Sequence, residues 1–442
     1  MEYVAAEQDF TTRRTNPHHF ALPFITLLAT FTISTPAATI FTIPRPTVLA
    51  ALATVFLFWA VKGRVFSAFW QFALAYLLAF IPGTLFNIND PDIKTSSALQ
   101  FFALLITFCV LATYFNEWLT LTRDRTKLRW IHIVLFYVFV VCLLEICFPS
   151  AFANVRAYLY HSGNAGNNAI MDSMTRRDAD IYGGRPMVFF SEPSNLAKYL
   201  SVIIAAYMAI TRCSWRSLFA LLLFFVLIRS VSYFYAAPAM FIALSRAMFP
   251  KTILRRRGIL IGRKLFAAMG VGILLIAAVL YTQATRISSG AHGQDGSLQS
   301  RIQLPLQFLF THPAAVLVGR GITPQDEVET YTLMLKAMTS NTAYAPGVSE
   351  AVSSTIILIA GTGLAGMAIF FIAMFLFQRS QGVWLVVAFL VSNFINSGYN
   401  APTTIIPTAL LLALMVYQFR LGREDRARSR EAANSVLVET AA

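Results

Sequence analysis

The sequence predicts an all-α polytopic membrane protein with two long loops on one side of the bilayer, and three observations predict it. Of the 442 residues, 57% are hydrophobic and 13% charged, with 38 Phe, a composition too apolar for a soluble chain of this length. Apolar runs of about twenty residues, long enough to cross roughly 30 Å of hydrocarbon as helices, recur from one end to the other. Most of the 35 Lys and Arg residues sit in alternate short connections, the pattern that orients a membrane protein.

Taken in order, the runs give about 12 spans, near 20–41, 46–61, 66–86, 97–116, 130–148, 191–211, 215–230, 234–249, 265–284, 351–376, 383–399 and 403–420. The chain divides accordingly into five N-terminal helices (1–148), a first long outer loop (149–190), helices six to nine (191–284), a second long outer loop (285–350), helices ten to twelve (351–420) and a tail (421–442). The seventh and eighth spans are short, and Arg229-Ser230 and Pro238 interrupt them, so a single broken helix or a re-entrant hairpin fits as well as two spans. The polar tail from Arg423 onward reads as disordered. Residues 1–19 are polar, with Arg13 and Arg14 near their end, so the first span is expected to act as an uncleaved anchor.

The basic residues set the sidedness. Arg13, Arg14, Lys62, Arg64, the cluster Arg123, Arg125, Lys127 and Arg129, then Arg212, Arg216, the run from Arg246 to Lys264, Arg379 and the tail arginines all fall on one side. That side is expected to be cytoplasmic, with both termini on it. The net charge of +14 is then a product of topology and of contact with anionic lipids, and nucleic acid is excluded as a partner because no basic domain lies outside the membrane. Cys109, Cys142, Cys147 and Cys213 lie in or beside apolar runs without metal-type spacing, so neither a disulfide nor a metal site is expected.

Both long loops carry arginines on the side that orientation should deplete: Arg156, Arg176, Arg177 and Arg185 in the first, Arg286, Arg301 and Arg320 in the second. Binding of anions is the expected purpose, because a guanidinium offers a fixed fork of donors to phosphate oxygens and keeps its charge. At the end of the first loop, Glu192-Pro193 is a helix-start signature, and the helix is predicted from about Pro193 to Thr211. Glu192 then sits at the outer membrane surface. There it can accept the proton of an attacking hydroxyl, but helix capping or an ion pair with Lys198 or Arg185 fits it too. Lys198, one to two turns inside, needs a partner or a water-filled cavity, and Glu145 and Arg229 are further intramembrane charges that can pair within the bundle.

The second loop reads as a flexible segment from 286 to 299, an amphipathic helix from Arg301 to Phe310 suited to the membrane surface, His312-Pro313 as its stop, and the turn Gly319-Arg320-Gly321, whose glycines let backbone approach a ligand. His312 suits a helix end or a catalyst. Arginines from two loops on one face form a candidate diphosphate clamp, where donors can stabilise a leaving group as its charge grows.

With these residues in view, the sequence resembles the bacterial O-antigen and exopolysaccharide polymerases of the Wzy type, in the superfamily that also holds the O-antigen ligases. One stretch, 185–199, looks like an arginine, a few apolar residues and Glu-Pro-Ser at the head of a span. The other runs from Ser300-Arg301 through His312-Pro313 to Gly319-Arg320-Gly321, followed by Gly363-Leu364-Ala365-Gly366 in the next span. The match covers about residues 180–370. The resemblance implies a fold similar to the GT-C membrane glycosyltransferases in a bacterial inner membrane, with periplasmic outer loops. It implies a polymerase that moves a growing glycan from undecaprenyl diphosphate to the terminal hydroxyl of a new lipid-linked repeat unit, with no metal, nucleotide sugar or other cofactor. Glu192 is then the catalytic base, and Arg185, Arg301, Arg320, Lys198, Arg177, Arg176 and His312 bind diphosphate or substrate. Expected partners are undecaprenyl-diphosphate-linked oligosaccharides and membrane lipids, with a chain-length regulator protein as a further candidate.

Two departures matter. Ligases carry a histidine shortly before the span with the glycine turn, where this chain reads Gly347-Val348-Ser349-Glu350-Ala351-Val352, which leaves Glu350 as a second acid or base. The turn also places Arg320 between its glycines. A ligase acting on lipid A core and a polysaccharide flippase or transporter are the alternatives. Transporters concentrate their charges near the bilayer midplane, whereas the informative charges here lie at one surface.

Overall fold

The computed structural model describes residues 65–87, 95–152, 186–188, 190, 193–248, 304–322, 354–395 and 402–441, with isolated positions between 22 and 57 and at 154, 328 and 331. The spans expected at 20–41, 46–61 and 265–284 lie wholly or largely outside the described residues. The described chain is helical apart from a two-residue antiparallel rung, Thr39–Ile40 with Ile43–Pro44, in the register Thr39 to Pro44 and Ile40 to Ile43.

The first three helices are α1 (Ser67–Phe86), α2 (Thr95–Leu121) and α3 (Asp124–Cys147). Next come α4 (Pro193–Thr211), α5 (Trp215–Ile228), a 3-10 turn η1 (Val231–Ala236) and α6 (Ala237–Met248). The second half holds α7 (Leu304–Thr311), α8 (Pro313–Leu317), α9 (Ser354–Ile395) and α10 (Pro402–Ala441). Among the described residues, 6 helices are long and apolar enough to cross a membrane, in α1, α2, α3, α4, α9 and α10. The protein is therefore a polytopic helical membrane protein.

Polar signals and apolar length together fix these elements. Helix α4 begins at Pro193, where the missing N–H costs nothing, and ends at Thr211, where Arg212 and Cys213 turn left-handed at φ 50 and 55. Ser214 caps α5 by accepting from the Ser217 amide, and α5 stops after 14 residues because Arg229 adopts the left-handed conformation at φ 49. Ser230 then caps η1, so α5, η1 and α6 form one interrupted hairpin; the interruption foreseen at Arg229-Ser230 is real.

The spans drawn as 351–376 and 383–399 both appear within α9, as two helices joined at a sharp turn at Arg379 (φ 52, ψ −139): the second folds back on the first, so that the rings of Phe370 and Phe389 meet 5.9 Å apart. The first of the two is also interrupted at Gly363 (φ 62, ψ 178). One expectation requires correction. The tail is not disordered: α10 runs on through Ala441, because Arg, Glu and Ala dominate it and are strong helix formers. Arg420 and Glu424 pair at 3.1 Å along its surface, and Arg423 donates to Gln381.

Helix α9 packs most extensively on α1, α10 on α2, and η1 with α6 on α4. Apolar contact alone does not drive helices together in lipid, so the interfaces depend on close backbone approach, ring packing and buried hydrogen bonds. On α1, Ala75, Ala79 and Gly83 recur every fourth residue and are buried, a small-residue stripe that meets Gly366 of α9. Phe72 joins three helices, 5.4 Å from Phe108 of α2 and 5.3 and 5.4 Å from Phe370 and Phe389 of α9. Tyr235 bonds Thr408 at 2.6 Å, and Gln418 donates to the Ala239 carbonyl at 3.0 Å, tying η1 and α6 to α10.

Contacts between elements sort the helix ends into two sets. Lys127, at the start of α3, donates to the Leu119 carbonyl at 2.8 Å and to Tyr417 at 3.3 Å, and pairs with Asp124 at 2.6 Å. Gln378 donates to the Ala68 carbonyl at 2.8 Å. These contacts collect the basic connections at one end of the bundle, called the basic end below. The last turn of α1, the start of α4, α8 and the first break of α9 lie toward the opposite, far end.

Alanine at Gly363 would carry a side chain at φ 62 with its Cβ 2.5 Å from the Gly319 nitrogen. We expect Gly363→Ala to cost about 3 kcal/mol or more, combining backbone strain with displaced packing. Gly422→Ala, in open helix, should gain about 0.5–1 kcal/mol. Apparent thermal midpoints in detergent check both, and equal midpoints for the two variants would refute the break as a packing device.

Candidate functional site

At the far end three pieces of backbone meet. Pro313 opens α8 behind His312, α8 closes through Val318, and the chain turns at Gly319 (φ 88) and Gly321 (φ 91). The Arg320 amide donates to the Ala360 carbonyl at 2.7 Å, and the Gly321 amide to the Gly361 carbonyl at 2.9 Å. Those carbonyls would bond residues 364 and 365 in an unbroken helix, so the turn takes over acceptors that the break at Gly363 takes out of the ladder. The third piece is α1: a Cβ on Gly83 would stand 2.5 Å from the Gly321 nitrogen, and one on Gly319 would stand 2.2 Å from the Gly361 oxygen.

This arrangement corrects the expectation for the turn. Its glycines admit neighbouring helices, not a ligand, because every close approach they permit is to α1 or α9. What the turn presents is Arg320. Its guanidinium is half-buried and donates to Asn87 Oδ1 at 3.2 Å. Asn87 is itself buried at the end of α1, where its Nδ2 donates to the carbonyls of Gly83 at 2.8 Å and Gly319 at 3.2 Å. One amide thus caps α1, anchors the turn and orients the arginine. Sequence reading missed Asn87; an asparagine closing a span four residues after Gly83 was the available signal.

His312 lies at the corner between α7 and α8. Its ring stacks on Phe308 with centroids 4.4 Å apart and meets Tyr331 edge-on. Nδ1 is 3.0 Å from the Phe308 carbonyl, which can only accept, and 3.0 Å from the Thr311 hydroxyl. The ring packs the corner that leads to Arg320. Outward from it, Phe310 and Leu317 are exposed apolar side chains, as suits a membrane-surface helix.

Lys198 is buried on α4 and donates to Asn195 Oδ1 at 3.2 Å. Such a cation inside a span marks function or internal pairing. Glu145, near the end of α3 and also buried, accepts from two successive backbone amides, Met187 at 2.9 Å and Val188 at 2.7 Å. An intramembrane carboxylate expected to pair within the bundle thus binds main-chain N–H groups just ahead of α4. Arg229 is exposed, and its backbone ends α5. Arg185, Glu192, Arg301, Arg176, Arg177 and Glu350 lie outside the described residues. The structure thus describes three of the predicted site residues, Arg320, Lys198 and His312, and places His312 and Arg320 on either side of α8.

Compared with known proteins, the chain matches no family model, no curated relative and no solved structure.

Asn87→Ala should lower the apparent thermal midpoint, since it removes three buried hydrogen bonds worth about 1 kcal/mol each. Asn87→Asp keeps the acceptor for Arg320 while losing the donor, so an intermediate midpoint is expected. A midpoint for Asn87→Ala equal to the parent's would show that these bonds do not hold the far end together.

Proposed function

We propose that this protein is a lipid-linked glycan polymerase of a bacterial inner membrane, working at the periplasmic face. It transfers a growing oligosaccharide from undecaprenyl diphosphate to the terminal hydroxyl of a new lipid-linked repeat unit and releases undecaprenyl diphosphate. The observation that carries this reading is the far end itself: Arg320, half-buried, aimed by Asn87 and backed by a packed glycine turn, opposite the end where the orienting charges gather. A fixed guanidinium suits a diphosphate, and one held in place before the reaction stabilises a leaving group more effectively than a mobile one.

In this reading about 12 spans form a GT-C-like bundle, of which α1 to α6, α9 and α10 are part. Both termini are cytoplasmic, and the far end faces the periplasm. Arg185 and Arg301 join Arg320 on the diphosphate, with Arg176, Arg177 and Lys198 as further contacts and His312 bracing the corner before Arg320. Glu192 takes the proton from the acceptor hydroxyl as that oxygen attacks the anomeric carbon, and the bond from that carbon to the diphosphate oxygen breaks. Arginines collect the negative charge that the departing group gains. Exposed apolar residues on α7 and α8, Phe310 and Leu317, supply a surface against which an isoprenoid chain can lie.

One observation favours a second reading. Helices broken inside a membrane, as α9 is at Gly363 and the α5 to α6 hairpin is around Arg229, also occur in carriers, where broken helices line the substrate path. A carrier would move lipid-linked glycans across the bilayer without lengthening them.

Purified protein in detergent, incubated with lipid-linked repeat units alone, should yield a ladder of longer glycans. Intact substrate after prolonged incubation would overturn the polymerase, and glycan crossing in proteoliposomes would then support the carrier. Glu192→Gln should insert and fold but lose the ladder, and Arg185→Lys or Arg320→Lys should reduce its rate roughly tenfold or more, because lysine cannot reproduce the bidentate fork. Wild-type ladders from all three would remove these residues from the chemistry.

A further inference from the structure

At the basic end, α3 carries its exposed cations on one face. Arg125, Arg129 and His132 follow one another at spacings of four and three, which places them on a single stripe, and all three are exposed. The opposite face of the same turns, with Lys127, Ile131 and Val134, is buried in the bundle. His132 is tied to the next helix: its Nε2 lies 2.9 Å from the Tyr207 hydroxyl, and the two rings meet edge-on at 5.1 Å. Tyr207 stands one turn before the end of α4, and Arg216, at the start of α5, is close enough for its charge to act on that hydroxyl. Arg216 in turn lies 5.7 Å over the ring of Trp215, and both are exposed. One tyrosine thus links a basic stripe on α3 to the basic start of α5.

These cations are not matched by acids. Among the described residues no carboxylate forms an ion pair with Arg125, Arg129 or Arg216, and Asp124, the acid beside them in sequence, is held by Lys127 at 2.6 Å. Nδ1 of His132 makes no hydrogen bond to a described residue. Toward the membrane interior both helices turn apolar side chains outward, Ile133 and Phe136 on α3 and Phe219 on α5. Such side chains meet acyl chains, whereas exposed tryptophan and arginine at a helix start belong at headgroup depth. Cations at that depth with apolar surface next to them match a ligand that carries a negative headgroup on a hydrocarbon tail. Orienting the chain requires only the number of cations on one side. A histidine–tyrosine tie between helices adds nothing to that number, but it fixes where the cations stand.

We propose that the corner of α3, α4 and α5 at the basic end is a binding site for an anionic phospholipid of the surrounding leaflet. Arg129 and Arg216 take the phosphate, Arg125 lies at its outer edge, and the His132–Tyr207 pair holds the two basic helices in register. A guanidinium fork suits phosphate oxygens, and a zwitterionic lipid, which carries its own cation, forfeits most of the attraction. The site is independent of the reaction proposed at the far end.

The test titrates the full-length protein in detergent with short-chain phosphatidylglycerol and with phosphatidylcholine of the same chain length, counting bound lipid by native mass spectrometry. The parent should bind the anionic lipid at least roughly tenfold more tightly, and Arg129→Gln with Arg216→Gln should remove most of that preference, each charge contributing roughly fivefold. Arg379→Gln, which removes an exposed cation of the same end carried by α9, should leave the affinity within about twofold of the parent's. Tyr207→Phe keeps every charge but unties His132, so it should weaken anionic binding roughly threefold and leave phosphatidylcholine unaffected. Equal affinity of the parent for the two lipids would overturn the site. A loss from Arg379→Gln as large as that from Arg216→Gln alone would overturn it in favour of diffuse attraction between the basic end and anionic lipid, and so would unchanged binding in Tyr207→Phe.

Discussion

The structure depends on a backbone-to-backbone contact that only glycine permits. Inside a bilayer every main-chain donor and acceptor needs a partner from the protein, so a helix can break only where another segment supplies the missing bonds. In α9 the break at Gly363 is met by the amides of Arg320 and Gly321, which reach the carbonyls of Ala360 and Gly361 because neither Gly319 nor Gly83 has a side chain in the way. The small-residue stripe on α1 brings the third backbone into the same place. A single methyl group at any of these glycines would have to displace main-chain atoms, and main chain cannot rotate aside as a side chain does.

That constraint explains the chemistry available at the far end. A cation is costly in a membrane unless it faces polar groups, and the closed turn gives Arg320 a fixed origin and Asn87 as a neighbour. The same logic recurs with the sign reversed at Glu145, where a buried carboxylate is satisfied by main-chain amides that the turn before α4 points toward it. The two devices use different helices, yet each fixes a charged group through irregular backbone. The packed aromatic and small-residue interfaces of α1, α2 and α9 supply the rigidity against which both are set.

Much of the helical architecture was legible beforehand, because span length and charge placement are local properties. The predicted helix from Pro193 to Thr211 coincides with α4, and proline and the apolar run explain both ends. The interruption at Arg229-Ser230 was legible for the same reason. The tail was misread because polarity was taken for disorder, although its residues favour helix and it continues a span. At the site, Arg320 was singled out by its charge in an outer loop. Asn87 could be read at most as a helix end, because its partners other than Gly83 lie 232 and 233 positions away. Glu145 was noticed only as an intramembrane charge, and nothing local in the chain indicates that its partners are backbone amides rather than a cation.

By itself the sequence determined that this is a helical membrane protein and where most of its described spans run, since hydrophobic length acts along the chain. Tertiary structure alone decided what the glycines are for and which groups hold the charges. The glycines of 319–321 and 363 serve contact between backbones, Asn87 orients Arg320, and Glu145 clasps the turn before α4. These are pairings between segments far apart in sequence, and in lipid they are selected by the requirement that each buried polar group find a partner wherever the packed helices bring one within reach.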